Sequence, residues 1–270
     1  MVDWIFPVFI NAIPIKRSDL MNVEGKVFVI TGGARGLGLA IAQAITSKGG
    51  VCALVDLDQA AVDAAASACG TKSKGYACNI TQETKVEALF EQVLTDFGRV
   101  DGLVNNAGLL RDGMLIKFKD GEVQGKMSLS QWQSVIDVNL TGTFLCGREG
   151  AIAMAKAGNG GVIINISSIA KAGNIGQSNY AATKAGVAAL VTTWAGELKR
   201  FGIRAAGIAP GVICTDMTDS MRPEALERIE KAIPAGRLGE RNELANTAMF
   251  IIENDYINGR LIELDGGLRF

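Results

Sequence analysis

The sequence predicts an α/β domain: a doubly wound, seven-stranded parallel sheet with helices on both faces. Short apolar, β-branched runs alternate with longer amphipathic stretches from residue 26 onward. Strand–helix alternation of this kind implies parallel pairing through right-handed crossovers. Most of the apolar runs are continuous, the pattern of strands covered on both faces.

In chain order the strands are KVFVIT (26–31), VCALVD (51–56), KGYAC (74–78), DGLVN (101–105), GVIINIS (161–167), IRAAGIA (203–209) and RLIEL (260–264). Helical segments fall at 37–48, 58–69, 82–97, 130–157 and 178–201. No linker, repeat or compositional break divides residues 21–270, so one domain is expected. Two stretches have no place in the alternation, 111–128 and 212–238. Both follow strands at their carboxyl ends, where such folds bind ligands. Within the first, KDGEV sets Asp-Gly between short extended runs and predicts a hairpin.

The first twenty residues stand apart. Their apolar run, Trp4–Ile10, is broken by Pro7 and followed, not preceded, by Lys16 and Arg17. That is neither a signal peptide nor a membrane span. Residues 1–20 are set aside as a misassigned start or added leader, or else an arm packing on a neighbouring subunit. A net charge of −1 gives no electrostatic case for nucleic acid or an anionic membrane. Five cysteines without a C-x-x-C pair point away from a structural zinc or a disulfide framework and towards a reducing cytoplasm.

The first strand runs into TGGARGLG, Thr31 to Gly38, and then into a helix. Gly32, Gly36 and Gly38 let backbone N–H groups approach a pyrophosphate at a helix N-terminus. Arg35 and Leu37 belong to the same turn. The second strand ends in Asp56, a carboxylate placed to accept ribose hydroxyls and repel a 2′-phosphate. Arg35 would favour that phosphate, but the carboxylate in contact range outweighs one exposed arginine. NAD is therefore preferred over NADP. As a mere helix cap, Asp56 would be redundant with Asp58.

The chain has no histidine, yet YAATK sets Tyr180 and Lys184 one helical turn apart. A phenol is a poor proton donor near neutrality unless a nearby cation stabilises the phenolate. Without histidine, Ser-His hydrolases and histidine-based dehydrogenases are excluded.

TGGARGLG, NNAG (Asn105 to Gly108), NLTG with Asn139, NISS with Ser167, YAATK and PGVICT (Pro210 to Thr215) occur in this order, ahead of DGG at 265–267. In these motifs the chain resembles the short-chain dehydrogenase/reductase family over nearly all of 21–270, with the Rossmann-type fold this implies. NIGQSNYAATKAG and NGRLIELDGG make it most similar to the 3-oxoacyl-[acyl-carrier-protein] reductase type. The resemblance implies an oxidoreductase interconverting a secondary alcohol and a ketone, working as a homodimer or homotetramer. Tyr180 would donate the proton, Lys184 hold the nicotinamide ribose and lower the tyrosine pKa, and Ser167 bind the substrate oxygen. Ser167 is chosen over Ser168 by spacing alone. Asn139 would anchor a water in the proton relay. Asn106, Ala107 and Gly108 would flank the adenosine side, Asn79 and Ile80 the adenine. The loop Pro210, Gly211, Val212, Ile213 and Thr215 would bind the cofactor, with Thr215 facing the nicotinamide carboxamide.

Several residues depart from the family pattern. Asn79 stands where many relatives have aspartate, and the loop 109–132 is longer than usual. Its hairpin either rims the substrate mouth or is a surface elaboration or subunit contact. Met217, Met221, Leu226 and Ile229 in the 212–238 lid either line an apolar pocket or pack a helix. For carrier-protein docking the basic candidates are Lys199, Arg200, Arg204 and Arg222, but Phe201 and the uncharged GNGG at 158–161 weaken that reading. These features favour a free or coenzyme-A-linked 3-oxoacyl or hydroxy substrate. The alternatives are an NADPH-dependent reductase of fatty-acid synthesis and a non-catalytic nicotinamide-binding sensor. Helices 130–157 and 178–201, with Ala151, Ala153, Ala155, Ala188 and Ala189, are the expected subunit interfaces.

Overall fold

The computed structural model describes residues 21–215, 218 and 223–269. The leader at 1–20, and Met217, Met221 and Arg222 of the expected lid and docking patch, lie outside the described residues. The chain folds as a single Rossmann-type domain. Strands β1 (Val27–Thr31), β2 (Val51–Asp56), β3 (Lys74–Ala77) and β4 (Gly102–Asn105) form one half of its sheet. The other half is β7 (Gly161–Ile166), β8 (Ile203–Pro210) and β9 (Leu261–Leu264). The order across the sheet is β3-β2-β1-β4-β7-β8-β9, and every pairing is parallel.

Both faces are covered over β1, β2, β4, β7 and β8, which is why these strands read as apolar runs; the edge strands β3 and β9 are only partly buried. Phe28 and Ile30 of β1 pack with α1 (Gly36–Ser47) and α8 (Arg241–Glu253) on one side. Val29 between them packs with α3 (Glu83–Phe97) and α5 (Thr143–Ala157) on the other. Full burial of one such side chain contributes about 1.5–3 kcal/mol. Helix α8 makes the crossover from β8 to β9 that parallel pairing demands. A short α2 (Gln59–Ala68) crosses from β2 to β3, with Asp58 as its N-cap: its side chain accepts the Ala61 N–H at 3.1 Å.

The 111–128 stretch holds the expected hairpin. Strand β5 (Ile116–Lys119) pairs antiparallel with β6 (Glu122–Lys126), outside the main sheet. At its tip Asp120 and Gly121 both take left-handed backbone, φ 52° and 81°, the conformation a two-residue Asp-Gly turn requires.

The predicted helix 130–157 is three pieces. Helix α4 (Leu129–Ile136) passes through a π-helical turn, Asp137–Gly142, into α5. Such turns widen a helix locally and are frequent at functional sites. Helix α6 (Ser178–Glu197) follows β7 and carries YAATK. In the lid stretch, α7 (Pro223–Ala232) packs Leu226 and Ile229 against the buried cluster of Ile169, Ile233, Leu238 and Leu268. Of the two roles open to Leu226 and Ile229, helix packing is the one observed.

Candidate active site

The carboxyl ends of β1, β2, β4, β7 and β8 open into two adjoining cavities, of about 760 Å³ and about 350 Å³. Leu37, Asn106, Gly108, Leu109 and Thr215 line both, so the two are one continuous cleft.

The larger cavity is built on the glycine turn. Gly36 has φ 59° and open space where a Cβ would stand, so its backbone is accessible to a ligand. Gly38 is the opposite case: a Cβ there would lie 2.2 Å from the Gly32 carbonyl oxygen. Asn106 braces the same turn, its Nδ2 donating to the carbonyls of Thr31 at 3.1 Å and Gly32 at 3.0 Å. Asp56 reaches the cavity wall with both carboxylate oxygens fixed by backbone, Oδ2 by the Ala34 N–H at 3.2 Å and Oδ1 by the Leu57 N–H at 2.8 Å. Because Asp58 already caps α2, Asp56 is left to face the cleft. Arg35, Asn79, Ile80 and Ala107 line the same wall. The Asn79 Oδ1 accepts from Thr81, from the N–H at 3.1 Å and the hydroxyl at 2.9 Å, which leaves Nδ2 as the group it can offer an adenine. A long cleft with a backbone cradle midway and a carboxylate at one end has the donor set and shape of a dinucleotide site.

The smaller cavity holds the chemistry. Tyr180 and Lys184 line it from the first turns of α6, with Ser168 from the end of β7. Lys184 is buried and its Nζ donates to the Ile166 carbonyl at 2.7 Å; burial lowers its pKa to about 8. Its Nζ stands 5.5 Å from the Tyr180 ring centroid. The phenol sits above its ordinary pKa because burial disfavours the phenolate; the Ser168 hydroxyl opposes this and the Asp112 charge adds to it. The lowering of the tyrosine pKa by Lys184 is thus not seen in the protein alone, where burial of the phenol dominates.

The two serines exchange the expected emphasis. The Ser167 hydroxyl is buried and donates to the Lys184 carbonyl at 2.8 Å, a bond that holds the helix against β7. Ser168 is the hydroxyl that acts on the phenol, while also accepting the Ala170 N–H at 3.1 Å. Both serines line the smaller cavity, and spacing along the chain could not separate the two neighbours. Asn139 lies within the π-helical turn, fully buried, and its amide clasps Leu109. Oδ1 accepts the Leu109 N–H at 2.7 Å and Nδ2 donates to its carbonyl at 3.0 Å. Pro210, Gly211, Val212, Ile213 and Thr215 form the far wall of the smaller cavity. There Gly211 passes so close to Asp265 that a Cβ would lie 2.8 Å from its Cα. Asn174 and Gln177 also line this cavity; both lie in the NIGQSNYAATKAG segment, but the sequence reading gave them no role.

Of the basic docking candidates, Arg204 is not a surface group. Its guanidinium donates to the carbonyls of Ile251, Ile252 and Ile257 at 2.9–3.0 Å. Among the described residues no helix is long and apolar enough to cross a membrane, and no three acidic, cysteine or histidine side chains group as metal ligands.

Comparison with known proteins agrees with the architecture. A family profile described as Enoyl-(Acyl carrier protein) reductase matches residues 32–269. The 3-oxoacyl-[acyl-carrier-protein] reductase FabG of Haemophilus influenzae is 37% identical over 249 residues, covering 91% of this chain and 99% of that protein. The protein of the same name from Thermotoga maritima is 37% identical over 254 residues, covering 92% and 99%. That of Escherichia coli is 35% identical over 250 residues, again covering 92% and 99%.

Proposed function

The chain belongs to the short-chain dehydrogenase/reductase family, NAD(P)-dependent oxidoreductases of CH–OH and keto groups, and from that premise we propose that it acts on a 3-oxoacyl or 3-hydroxyacyl thioester. The observation that carries the proposal is the meeting of Tyr180, Lys184 and Ser168 in a cavity continuous with the dinucleotide cleft. The bound nicotinamide supplies the hydride to a carbonyl carbon or receives it from an alcohol. Tyr180 delivers the proton to the oxygen as its charge develops, and takes it back in the oxidation. Ser168 holds that oxygen and polarises it; Ser167 holds the helix. Lys184 places a cation beside the phenol and is positioned to bind the nicotinamide ribose. Asn139 fixes Leu109 at the cavity wall and keeps the π-helical turn in register with α6.

NAD is the favoured cofactor because the Asp56 carboxylate stands where a 2′-phosphate would lie. The relatives named above act on carrier-linked 3-oxoacyl groups, and a 3-oxoacyl thioester is carried over from them. Coenzyme A is the favoured carrier here, since Phe201 interrupts the basic patch and Arg204 is committed internally. Self-association is supported by the exposed flank of α5 and α6, where Phe144, Ile152 and Phe201 are each about two-fifths exposed around a shallow groove. The buried Cys52, Cys69, Cys78 and Cys146 form no disulfide, which fits a reducing cytoplasm.

The test is turnover of acetoacetyl-coenzyme A, followed by nicotinamide absorbance, with NADH and NADPH in parallel. Turnover favouring NADH supports both assignments. Turnover with NADPH alone overturns the reading of Asp56 and returns the chain to the biosynthetic alternative. Absence of turnover with either, and with simple secondary alcohols and NAD, would overturn catalysis altogether.

A further inference from the structure

The segment Leu109–Gly113 leads from β4 towards the hairpin; Leu109 and Leu110 form a wall of the catalytic cavity, and Leu109 and Arg111 line the adjoining dinucleotide cavity. Asn139 grips it at Leu109, as described. Two residues on, the Arg111 carbonyl accepts from two side chains, Asn179 Nδ2 at 2.9 Å and Gln131 Nε2 at 2.9 Å. Gln131 also donates to the Asp112 carbonyl at 3.0 Å. The Asp112 carboxylate accepts from Gln177 Nε2 at 2.9 Å, and the Gly113 N–H donates to the Gly176 carbonyl at 2.8 Å. The wall is therefore stitched to α4 through Gln131, and to the start of α6 through Gln177 and Asn179.

Asn179 is the centre of this seam. It is fully buried, and a buried amide is costly unless bonded. Its donors go to the wall, at Arg111, and to α4, at the Gln131 carbonyl 3.4 Å away. Its Oδ1 accepts the N–H of Tyr180 at 2.8 Å, one of the first-turn donors that the helix itself leaves without a partner. One amide thus joins the cavity wall to the backbone of the residue that carries the phenol.

We infer that Asn179 is a positioning residue: with Gln131 it locks the Leu109–Gly113 wall to the first turn of α6 and sets where the Tyr180 hydroxyl meets a bound carbonyl. Asn179 itself need not touch substrate or cofactor for this role. The inference rests on Tyr180 being the proton donor, and its test separates the two. The seam can also be opened from the far side. A Cβ on Gly113 would lie 2.7 Å from Gln131 Nε2, so Gly113→Ala displaces Gln131 without altering α6.

The experiment compares Asn179→Ala, Gly113→Ala and Tyr180→Phe with the full chain. It measures kcat and KM for acetoacetyl-coenzyme A, NADH affinity by fluorescence, and the solvent deuterium isotope effect. Misplacing reacting groups by an ångström costs on the order of 100-fold, so a fall in kcat of about 10- to 100-fold is expected for both alanine variants. NADH affinity should be unchanged and the isotope effect should rise, because proton transfer becomes more limiting. Unchanged kcat and isotope effect in both variants, with Tyr180→Phe inactive, would overturn the seam alone. A loss of NADH affinity equal to the loss of kcat would also overturn it, by exposing a general structural defect. If Asn179→Ala does not fold, Gly113→Ala decides by the same criteria. Full turnover by Tyr180→Phe would instead overturn the acid–base assignment beneath it.

Discussion

Replacing Asp56 with asparagine should erase most of the discrimination between NADH and NADPH. The carboxylate cannot swing away, because the Ala34 and Leu57 N–H groups hold both its oxygens. A phosphate monoester carries about −1.5 to −2 charges at pH 7. At about 4 Å and an effective dielectric near 20, each unit of that charge would meet the carboxylate with about 4 kcal/mol of repulsion. Asp56 is only half-buried and its cleft is open, so solvent screening leaves about 1–2 kcal/mol. That is about a 5- to 30-fold shift in the ratio of the two dissociation constants. Asparagine keeps the shape but loses one acceptor, so a backbone donor goes unpaired at about 1 kcal/mol of stability. Fluorescence titration of wild type and Asp56→Asn with both cofactors, at low and high salt, gives the ratio directly. An unchanged ratio, or one that shifts towards NADH, would refute the electrostatic argument.

Four further outcomes are expected. Ser168→Ala should lower kcat by about 100-fold or more, the usual cost of losing a donor to a developing oxyanion. Ser167→Ala should instead cost about 1 kcal/mol of stability in denaturant titration, with kcat largely kept, since it loses only the bond to Lys184. Without cofactor, Lys184 should contribute stability that rises with pH from about 8 towards the ordinary lysine range, because the unfolded chain binds its proton more tightly than the folded one. Urea titrations should show this as the difference between wild type and Lys184→Met, since burial raises the Cys52, Cys69, Cys78 and Cys146 thiols and makes their own contributions fall over the same range in both proteins. Excising the exposed hairpin between Leu115 and Met127, whose backbones already meet at 3.1 Å, should leave thermal stability nearly unchanged; a large drop would mean that its strands support the core.

The parts of the fold legible in the sequence are those set by local rules. Continuous burial made the central strands apolar runs, and Asp120-Gly121 announced its turn because few other pairs accept two left-handed residues. The π-helical turn at 137–142, which packs against α6, was read simply as part of one helix over 130–157. The glycine turn and Asp56 were readable because backbone geometry and charge fix their use. Ser167 and Ser168 were not, because their roles depend on which one faces into the sheet–helix seam. The partners of Asn179 lie 48 and 68 positions away and follow no sequence rule.

The order of strands across the sheet bears on how the molecule is made. Counting from the N-terminus, β2 joins the edge of β1, β3 the edge of β2, and β4 the opposite edge of β1; β7, β8 and β9 then add outward in turn. Each strand emerging from the ribosome finds an open edge waiting, and none must be threaded between two that are already paired. The strands that carry the glycine turn and Asp56 therefore precede Tyr180 both along the chain and in the order of edge addition. The nascent chain can acquire its nucleotide-binding half first and close its catalytic half onto it.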